Sequence, residues 1–420
     1  MQLPRAALTP QITKGGDVID VIGIVGEYNP FHKGHEYHIK EMRRAVGRES
    51  CVICVMSGNF VQRGDVAIFE KHARAEAAVC GGADIVFELP LPWCLSSAEG
   101  FARGAVALLA SLGVVTHLGF GSESGDVAAL SEIAEELLRP DMHAAIYAEL
   151  EADPTVQYAV ARHRALTARI GDKARIIETP NNILAVEYMK AIYDIRQSII
   201  PVTIKRSGVG HDGKSGKGFR SAQEIRGIIG SGNDIAGFVP KAAREVYARE
   251  IALGRGPVSM ESVEQAILSR LRFLSERVFS QVPDADEGIE SRLARAAWSE
   301  PSVDAVLAAT KTKRYALSRL RRMLMSACLG ITGEMSRGLP PYARLLAAGR
   351  KGRELLRLIS ERSDIPVITK PAAVKRLGRD ERALFELEAA ATDFYLLGFF
   401  AKEERRGGAD WRNSPVIIDD

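Results

Sequence analysis

Short apolar runs alternate with amphipathic segments along the first half of the chain, and this alternation constrains the fold more than any other feature. Runs rich in Val and Ile predict strands at 20–26, 51–56, 84–88, 116–120 and 198–205. Helical periodicity predicts helices at 35–46, 67–80, 97–111, 126–170 and 182–196. Apolar strands joined by helices are typical of a parallel sheet that is covered on both faces. We therefore expect an α/β fold with a doubly wound parallel sheet, Rossmann-like in type.

The second half of the chain has a different pattern. From about 236 to 363 nearly every segment has helical periodicity, interrupted by prolines. A glycine-rich polar stretch at 207–219 precedes it, and we interpret this stretch as an active-site lid rather than a linker. The predicted organisation is a disordered leader, an α/β domain, a mostly helical domain and a charged, loose tail, at 1–19, 20–235, 236–402 and 403–420.

Length and composition narrow the class of protein. A chain of 420 residues is long enough for two domains, and its 46% apolar content is that of a soluble globular protein. The sequence has no apolar stretch of membrane-spanning length, and residues 1–19 lack the apolar core of a signal peptide. Five cysteines, an odd number, favour a reducing compartment. We therefore expect a cytoplasmic protein without a membrane partner, in which Cys51 and Cys54 are a buried structural pair.

Two histidines, His32 and His35, stand three residues apart where the first strand gives way to a helix. The free N–H groups and the positive dipole end of a helix attract anions there. Gly34 lacks a Cβ and allows a bulky anion close approach to the backbone. This arrangement suits nucleotide phosphates. The alternative is a zinc site completed by His38, although no cluster of cysteines or carboxylates lies nearby to complete the ligand set. Spacing alone leaves both open.

Basic residues are concentrated in the second half, although the net charge is only +3. Six fall within twelve residues on a predicted helix: Lys311, Lys313, Arg314, Arg319, Arg321 and Arg322. A second group follows, namely Arg344, Arg350, Lys351, Arg353 and Arg357. Such clusters neutralise the phosphates of a polynucleotide, and Tyr315 is a candidate stacking partner for a base. The alternative is a solvated helix face, because Arg and Lys are good helix formers.

The stretch Glu27–His35 is more specific than its two histidines, and it resembles the first motif of the H-x-G-H adenylyl- and cytidylyltransferases. Further motifs follow in order along the chain, at Met56–Gly64, Phe87–Pro90, Phe101–Gly104, Phe120–Glu123, Pro180–Leu184 and Lys311–Tyr315. Together they resemble the bacterial tRNA(Met) cytidine acetate ligase family over roughly residues 20–400. The resemblance implies a nucleotidylyltransferase-like domain followed by a helical tRNA-binding domain.

The activity implied by this resemblance is ATP-dependent acetylation of the wobble cytidine in elongator tRNA(Met). Acetate would attack the α-phosphate of ATP to give acetyl-adenylate, and the cytidine amine would then attack the activated carbonyl and release AMP. Mg²⁺ would accompany ATP, held mainly by its phosphates and not by protein ligands. The catalytic candidates are His32, Lys33 and His35. The implied ATP-binding residues are Val25, Gly26, Glu27, Tyr28, Asn29, Pro30, Phe31, His32, Lys33, Gly34, His35, Glu36, Tyr37, His38, Gly121, Asn181, Arg206, Ser221 and Arg226.

Several of these residues have plainer interpretations. Gly121 is also what an ordinary strand-end turn requires, Asn181 is a common helix cap, and Arg206 suits a surface ion pair. Ser221 and Arg226 occupy the place of the second phosphate motif in these transferases. The chain departs from that motif at Glu224, where relatives often have a hydroxyl residue, and a carboxylate beside phosphates is unfavourable unless it points away.

The second substrate is expected to meet a polar turn and a basic surface. The turn follows the second strand and contains Asn59, Gln62 and Arg63. Lys71 and Arg74, one helical turn apart, are candidates to bind pyrophosphate or tRNA, and a solvated helix face is an equal alternative. Two other functions remain open: a small-molecule adenylyl- or cytidylyltransferase or pantothenate-synthetase-like ligase of the same fold, and a tRNA-binding protein with a vestigial nucleotide pocket. The oligomeric state is also open.

Overall fold

The computed structural model describes residues 13–14, 17–153, 155–195, 198–206, 219–285 and 288–419. Its strands are β1 Thr13–Lys14, β2 Asp17–Val18, β3 Val21–Gly26, β4 Cys51–Ser57, β5 Phe60–Val61, β6 Asp65–Val66, β7 Ile85–Leu89, β8 His117–Ser122, β9 Ile200–Lys205, β10 Ala343–Ala348, β11 Val367–Ile368 and β12 Val416–Ile417. Eight of them form one mixed sheet in the order β11-β10-β7-β4-β3-β8-β9, with β12 also paired to β10.

The five strands predicted from sequence are confirmed as the parallel part of this sheet, from β7 to β9. The chain runs from β3 to β4 and β7 on one side, then returns to the other side of β3 at β8. In an open α/β sheet, ligands bind at the carboxyl ends of the strands where the strand order reverses in this way. The fold therefore places the candidate site at the end of β3.

The helices in the first half are α1 Lys33–Val46, α2 Lys71–Cys80, α3 Leu91–Cys94, α4 Ala98–Ser111, α5 Val127–Leu137, α6 Pro140–Ala152, α7 Tyr158–Ile170, α8 Pro180–Ile195 and α9 Ala222–Gly230. Alternate residues of each strand enter opposite cores. Val52 and Cys54 of β4 pack with α1, α2 and α9, whereas Ile53 and Val55 pack with α4, α5 and α8. Both faces of the sheet are covered, so the doubly wound prediction is confirmed.

The second half contributes α10 Lys241–Ala252, α11 Met260–Arg272, α12 Glu276–Gln281, α13 Ile289–Ser299, α14 Val303–Thr310, α15 Leu317–Leu329, α16 Arg350–Arg362, α17 Arg379–Leu396 and α18 Ala409–Arg412. The helices from α11 to α15, together with part of α17, share a core that also holds Phe60 of β5 and Leu91 of α3. The prediction that nearly every segment from 236 to 363 is helical agrees with α10 to α16, but β10 within this range is a strand that pairs antiparallel with β7. Ala and Leu favour a helix locally, but here pairing with the exposed edge of β7 decides the conformation.

The prediction of a loose tail at 403–420 is wrong, because β12 pairs with β10 and Asp410 of α18 is fully buried. Most of the leader 1–19 and all of the lid 207–219 except Phe219 lie outside the described residues, although β1 and β2 pair with each other. The domain boundary at 235/236 stays a prediction. Cys51 and Cys54 are buried, as expected, in the cores on opposite faces of the sheet. In the part of the chain that the structure describes, helices long and apolar enough to cross a membrane are absent.

Candidate active site

The strand-to-helix junction after β3 is organised by its two histidines. His32 is the N-cap of α1, and its Nδ1 accepts a hydrogen bond from the Gly34 N–H at 3.0 Å. His35 Nδ1 accepts in return from the His32 N–H at 3.3 Å, which makes a reciprocal capping box. The two imidazoles stack with their centroids 3.8 Å apart. A Cβ on Gly34 would lie 2.8 Å from His32 Cε1, so glycine is required between them.

Both imidazoles are neutral, and the capping box fixes their tautomer. Burial, with the nearby Arg206 guanidinium, lowers the pKa of His32 to about 4. Burial, with His32 and Arg206, lowers the pKa of His35 well below its ordinary value. Because each Nδ1 accepts a backbone hydrogen, the single proton of each neutral ring lies on Nε2. The motif thus holds two Nε2–H donors at the positive end of α1, a chemistry suited to phosphate oxygens.

The residues before the histidines shape the turn. Tyr28 has a φ of +44°, its hydroxyl hydrogen-bonds the Cys54 thiol at 3.1 Å, and its ring lies edge-on to His35. Asn29 Oδ1 accepts from the Ile68 N–H at 2.8 Å. The Phe31 N–H donates to the Tyr247 hydroxyl at 2.8 Å. These side chains are buried and hold the loop in place.

The outer residues of the predicted ATP-binding stretch face other neighbours. Lys33 donates from Nζ to the Gly237 carbonyl at 2.7 Å, which ties α1 to the loop before α10 and takes its charge away from the imidazoles. Glu36 pairs with Lys40 at 3.0 Å on the helix surface. Tyr37 is exposed and its ring lies beside Phe219. The remaining members of the stretch, Val25, Gly26 and Pro30, lie at or just beyond the end of β3, with Val25 and Gly26 half-buried and Pro30 buried.

Gly121, Arg206 and His38 meet on the other side of the motif. The Arg206 side chain lies over Gly121, where a Cβ would be 3.0 Å from Arg206 Cγ. Arg206 also contributes to the low pKa of His38, which burial and this guanidinium bring to about 4. The structure therefore brings the strand-end glycine, the arginine and the histidines together. Among the described residues, no set of three His, Cys, Asp or Glu side chains is arranged to hold a metal ion.

Asn181 lies at the first turn of α8, and Glu123 at the end of β8 is bonded to that turn. Asn181 Nδ2 donates to Glu123 Oε1 at 2.6 Å, and the Asn182 N–H donates to Glu123 Oε2 at 2.7 Å. Burial alone would raise the pKa of Glu123, but the bonds from Asn181 and Thr179 lower it below its ordinary value. The cap of α8 is thus supplied by Glu123 across the crevice, a role that sequence reasoning missed.

The second phosphate motif is only partly brought to the site. Arg226 Nη1 donates to the Asn29 carbonyl at 2.7 Å and so lies against the first motif. Ser221 caps α9, and its hydroxyl donates to Glu224 Oε2 at 2.8 Å. The Glu224 carboxylate is therefore turned to its own helix cap, which removes the unfavourable contact with phosphate but also occupies the Ser221 hydroxyl.

The polar turn joins the site to the helical half. The Gln62 N–H donates to Glu27 Oε1 at 2.8 Å, while Arg63 beside it is exposed. Gly64 has a φ of +73°, and a Cβ there would lie 2.5 Å from the Arg321 backbone carbon of α15. Asn59 is buried, with Oδ1 accepting from the Lys71 N–H at 2.8 Å, so it braces the turn from within. This hairpin of β5 and β6 contacts both the first motif and α15.

The interpretation of Lys71 and Arg74 as ligand-binding residues needs correction. Lys71 Nζ lies 3.0 Å from Glu88 and 2.8 Å from Asp410, and its side chain is 1% exposed. Arg74 is fully buried and donates to the carbonyls of Phe69, Ser57, Gly58 and Glu27. Neither reaches a ligand or solvent, because α2 is covered by β10, α10 and the C-terminal segment. Both are internal supports of the crevice wall.

The basic cluster is also organised differently from the prediction. Lys311 to Ala316 form a loop between α14 and α15, not a helix. Lys311 Nζ donates to carbonyls of this loop, and Arg319 donates to the Asp284 carbonyl at 2.7 Å. Arg319 also lies over Tyr315, which is 7% exposed and so unsuited to stack on a base. Arg322 pairs with Asp284 at 3.3 Å. The cluster is therefore partly engaged within the protein.

Two members of the cluster, Lys313 and Arg321, contribute to a basic surface, and Arg321 lies beside the hairpin. Lys313 is exposed, and its carbonyl accepts from Gln157 Nε2 at 2.9 Å. Three members of the second predicted group are paired within the protein. Arg344 is buried and pairs with Asp410 at 2.7 Å, while Lys351 and Arg353 pair with Glu49 and Asp419.

Comparison with known proteins agrees with this geometry. The family described as HIGH Nucleotidyl Transferase matches residues 19–410. The tRNA(Met) cytidine acetate ligase of Acetivibrio thermocellus is 36% identical over 414 residues, which are 95% of this chain and 100% of the relative. The ligase of the same name from Caldanaerobacter subterraneus is 38% identical, over 91% of this chain and 96% of the relative.

The chain belongs to the tRNA(Met) cytidine acetate ligase family. Solved structures extend the likeness to three dimensions. Apo TmcAL of Thermotoga maritima superposes with a TM-score of 0.90 at 33% identity, covering 96% of this chain and 100% of that one. The same protein bound with α-thio ATP gives a TM-score of 0.89 at 32% identity, with the same coverage. The resemblance drawn from the motifs and the predicted fold class are confirmed.

Proposed function

We propose that this member of the tRNA(Met) cytidine acetate ligase family is an ATP-dependent acetate ligase. It forms acetyl-adenylate and acetylates the wobble cytidine of elongator tRNA(Met) to N4-acetylcytidine. The observation that carries the proposal is the pair of neutral imidazoles, His32 and His35, whose Nε2–H donors lie at the start of α1. The names of the relatives and the α-thio ATP bound by one of them support the choice of substrates.

In the first half-reaction an acetate oxygen attacks the α-phosphorus of ATP, and the bond to pyrophosphate breaks. Negative charge grows on the phosphate oxygens, and fixed donors in a crevice lower that barrier. His32 and His35 supply neutral donors, while Arg206 and Arg226 supply positive charge on either side. In this proposal Gly121 and Asn181 contact the nucleoside of ATP. Mg²⁺ would neutralise phosphate charge when it enters with ATP. The donors here are N–H groups and not metal ligands, so no step depends on a resident ion.

In the second half-reaction the tRNA must reach the acetyl group. The exposed Arg63 in the β5–β6 hairpin, with Lys313 and Arg321, offers a basic path from the crevice to the helical half at 236–402. Basic side chains on such a path neutralise backbone phosphates and set the register of an RNA. We assign tRNA binding to this surface.

The test separates the two half-reactions. Exchange of labelled pyrophosphate into ATP is measured with and without acetate, in the presence and absence of tRNA, followed by transfer of labelled acetate to a tRNA(Met) transcript. The proposal expects acetate-dependent exchange and transfer to the wobble cytidine. Replacement of His35 with Ala should abolish exchange and leave tRNA affinity nearly unchanged.

Two results would overturn the proposal in different ways. Exchange with a larger acid but not with acetate would point to a small-molecule ligase of the same fold, and its activity would survive charge reversal at Lys313 and Arg321. Binding of tRNA without exchange under any of these conditions would point to an RNA-binding protein with a vestigial nucleotide pocket.

A further inference from the structure

Glu27 stands one residue beyond the end of β3, at the start of the stretch that leads into the phosphate motif. The strand order reverses beside this strand, so its carboxyl end opens into the crevice where ligands bind in such sheets. The Glu27 carbonyl is held by the buried Arg74 guanidinium, which also holds the carbonyls of Ser57 and Gly58. These bonds hold the backbone of Glu27 in place, so its side chain extends from a rigid part of the chain.

Among the described residues, only one of the two carboxylate oxygens of Glu27 accepts a hydrogen bond. Oε1 accepts from the Gln62 N–H at 2.8 Å, and in the described parts of the chain nothing is hydrogen-bonded to Oε2. The hairpin that supplies this N–H also packs its Gly64 against the backbone of Arg321 in α15. Glu27 therefore lies where the phosphate motif and the basic surface meet. A cytidine amine that approaches along that surface must meet the adenylate at this junction.

Titratable groups from several surrounding elements lie near Glu27 and affect its ionisation. The guanidinium groups of Arg226 from α9, Arg74 from α2 and Arg63 from the hairpin favour its ionised form, whereas burial disfavours it. Tyr188 of α8 and Cys94 of α3 are the neutral titratable groups beside it. Burial prevails, and the pKa of Glu27 is raised above its ordinary value. A carboxylate with a raised pKa is a better proton acceptor near neutrality than an exposed one.

Resting on the proposed function, we infer that Glu27 is the general base of the acetyl-transfer step. The cytidine N4 attacks the carbonyl carbon of acetyl-adenylate, and an N–C bond forms. The bond from that carbon to the phosphate oxygen breaks, and AMP leaves with the electron pair. The proton that N4 loses passes to Glu27 Oε2 and from there to solvent. Atoms and charge balance without an oxidant, a reductant or a further reactant.

The alternative role for Glu27 is to hold the hairpin through its bond with the Gln62 N–H. Glu27→Gln separates the two roles, because the amide oxygen still accepts that bond but cannot take a proton. The variant is assayed for acetate-dependent pyrophosphate exchange and, separately, for single-turnover transfer from synthetic acetyl-adenylate to tRNA(Met). We expect transfer to fall by about 10²-fold or more, and by at least about tenfold more than acetate-dependent exchange falls. Glu49→Gln, which changes an exposed carboxylate paired with Lys351, should keep both rates.

The pH profile gives a second readout. Transfer by the wild type should fall as pH drops through the raised pKa of Glu27, and this limb should be absent from the residual transfer of Glu27→Gln. Glu27→Asp, which retains a carboxylate, should recover part of the rate and the acid limb. Transfer by Glu27→Gln at the wild-type rate would overturn the inference, and so would equal loss of exchange and transfer. Failure of the wild type to exchange would instead overturn the proposed function.

Discussion

Asp410 Oδ2 lies 2.8 Å from Nζ of Lys71, although the two residues are 339 positions apart in the chain. Arg344 Nη1 lies 2.7 Å from the same oxygen, and Glu88 accepts from Lys71 at 3.0 Å. Lys71 is also the residue whose N–H is bonded to Asn59 of the polar turn. A residue of the C-terminal segment thus completes the charge balance directly beneath the wall of the candidate site.

We expect Asp410→Asn to destabilise the protein by about 3–5 kcal/mol, because the buried cations of Lys71 and Arg344 would no longer both be neutralised by carboxylates. The measurement is the free energy of unfolding from denaturant titration at pH 7. Asp419→Asn is the matched control, since Asp419 pairs with Arg353 but is 73% exposed, and its loss should cost less than about 1 kcal/mol. Equal losses in the two variants would contradict the assignment.

The same group predicts a dependence of stability on acid. Burial alone would raise the pKa of Asp410, but Lys71 and Arg344 lower it well below its ordinary value. A depressed folded-state pKa contributes stability that is present above the unfolded pKa of 3.8 and is lost as pH falls through the folded one. The wild type should therefore lose more stability than Asp410→Asn between pH 5 and pH 3, as measured by unfolding midpoints. Parallel curves of unfolding midpoint against pH for the two proteins would contradict the prediction.

The contribution of Glu388 to stability should change with pH in the opposite direction. Burial, with the nearby Glu88, raises the pKa of Glu388 to about 7. Its contribution to stability is present below the unfolded value of 4.5 and is lost as pH rises through about 7. Between pH 5 and pH 8 the free energy of unfolding of Glu388→Gln should therefore rise by about 1–3 kcal/mol relative to that of the wild type, because the amide carries no charge to repel Glu88. A constant difference between the two proteins over this range would contradict the prediction.

The state of the two histidines is open to direct observation. We expect His32 and His35 to remain neutral from pH 8 down to about 5, with the proton on Nε2, because burial lowers both pKa values and each Nδ1 accepts a backbone hydrogen. Side-chain ¹⁵N NMR, assigned with His32→Gln and His35→Gln, reports both charge and tautomer. Imidazolium signals at pH 6 would show the capping box to be wrong.

Binding of tRNA should depend on the basic surface beside the hairpin. Lys313→Glu with Arg321→Glu should weaken tRNA binding and reduce the slope of log affinity against log salt by about 1 for each lost phosphate contact. Pyrophosphate exchange without tRNA should be unchanged. The control is Lys241→Glu, an exposed lysine of α10, which should alter neither quantity. An unchanged salt slope in the double variant would place the RNA elsewhere.

Much of the fold followed from periodicity, because the strands around β3 are apolar on both faces and short. One exception is β10, whose Ala and Leu residues favour a helix but meet the free edge of β7. Among the site residues, the histidines could be predicted because a helix N-terminus and its caps are local features. The burial of Asn59 and Lys71 could not be predicted, because Thr392 and Asp410, which bond to them, come from elements far along the chain.

The sequence by itself determined the parallel sheet, the position of His32 and His35 at the start of a helix, and the family to which the chain belongs. These depend on spacing within a few residues, where strand alternation and helix capping act. Only the tertiary structure decided that Asp410 is buried against Lys71, that Glu123 caps α8, and that the hairpin links Glu27 to α15. The physical reason is that charge pairing and burial depend on which segments meet, and long-range contacts leave no local pattern in the chain.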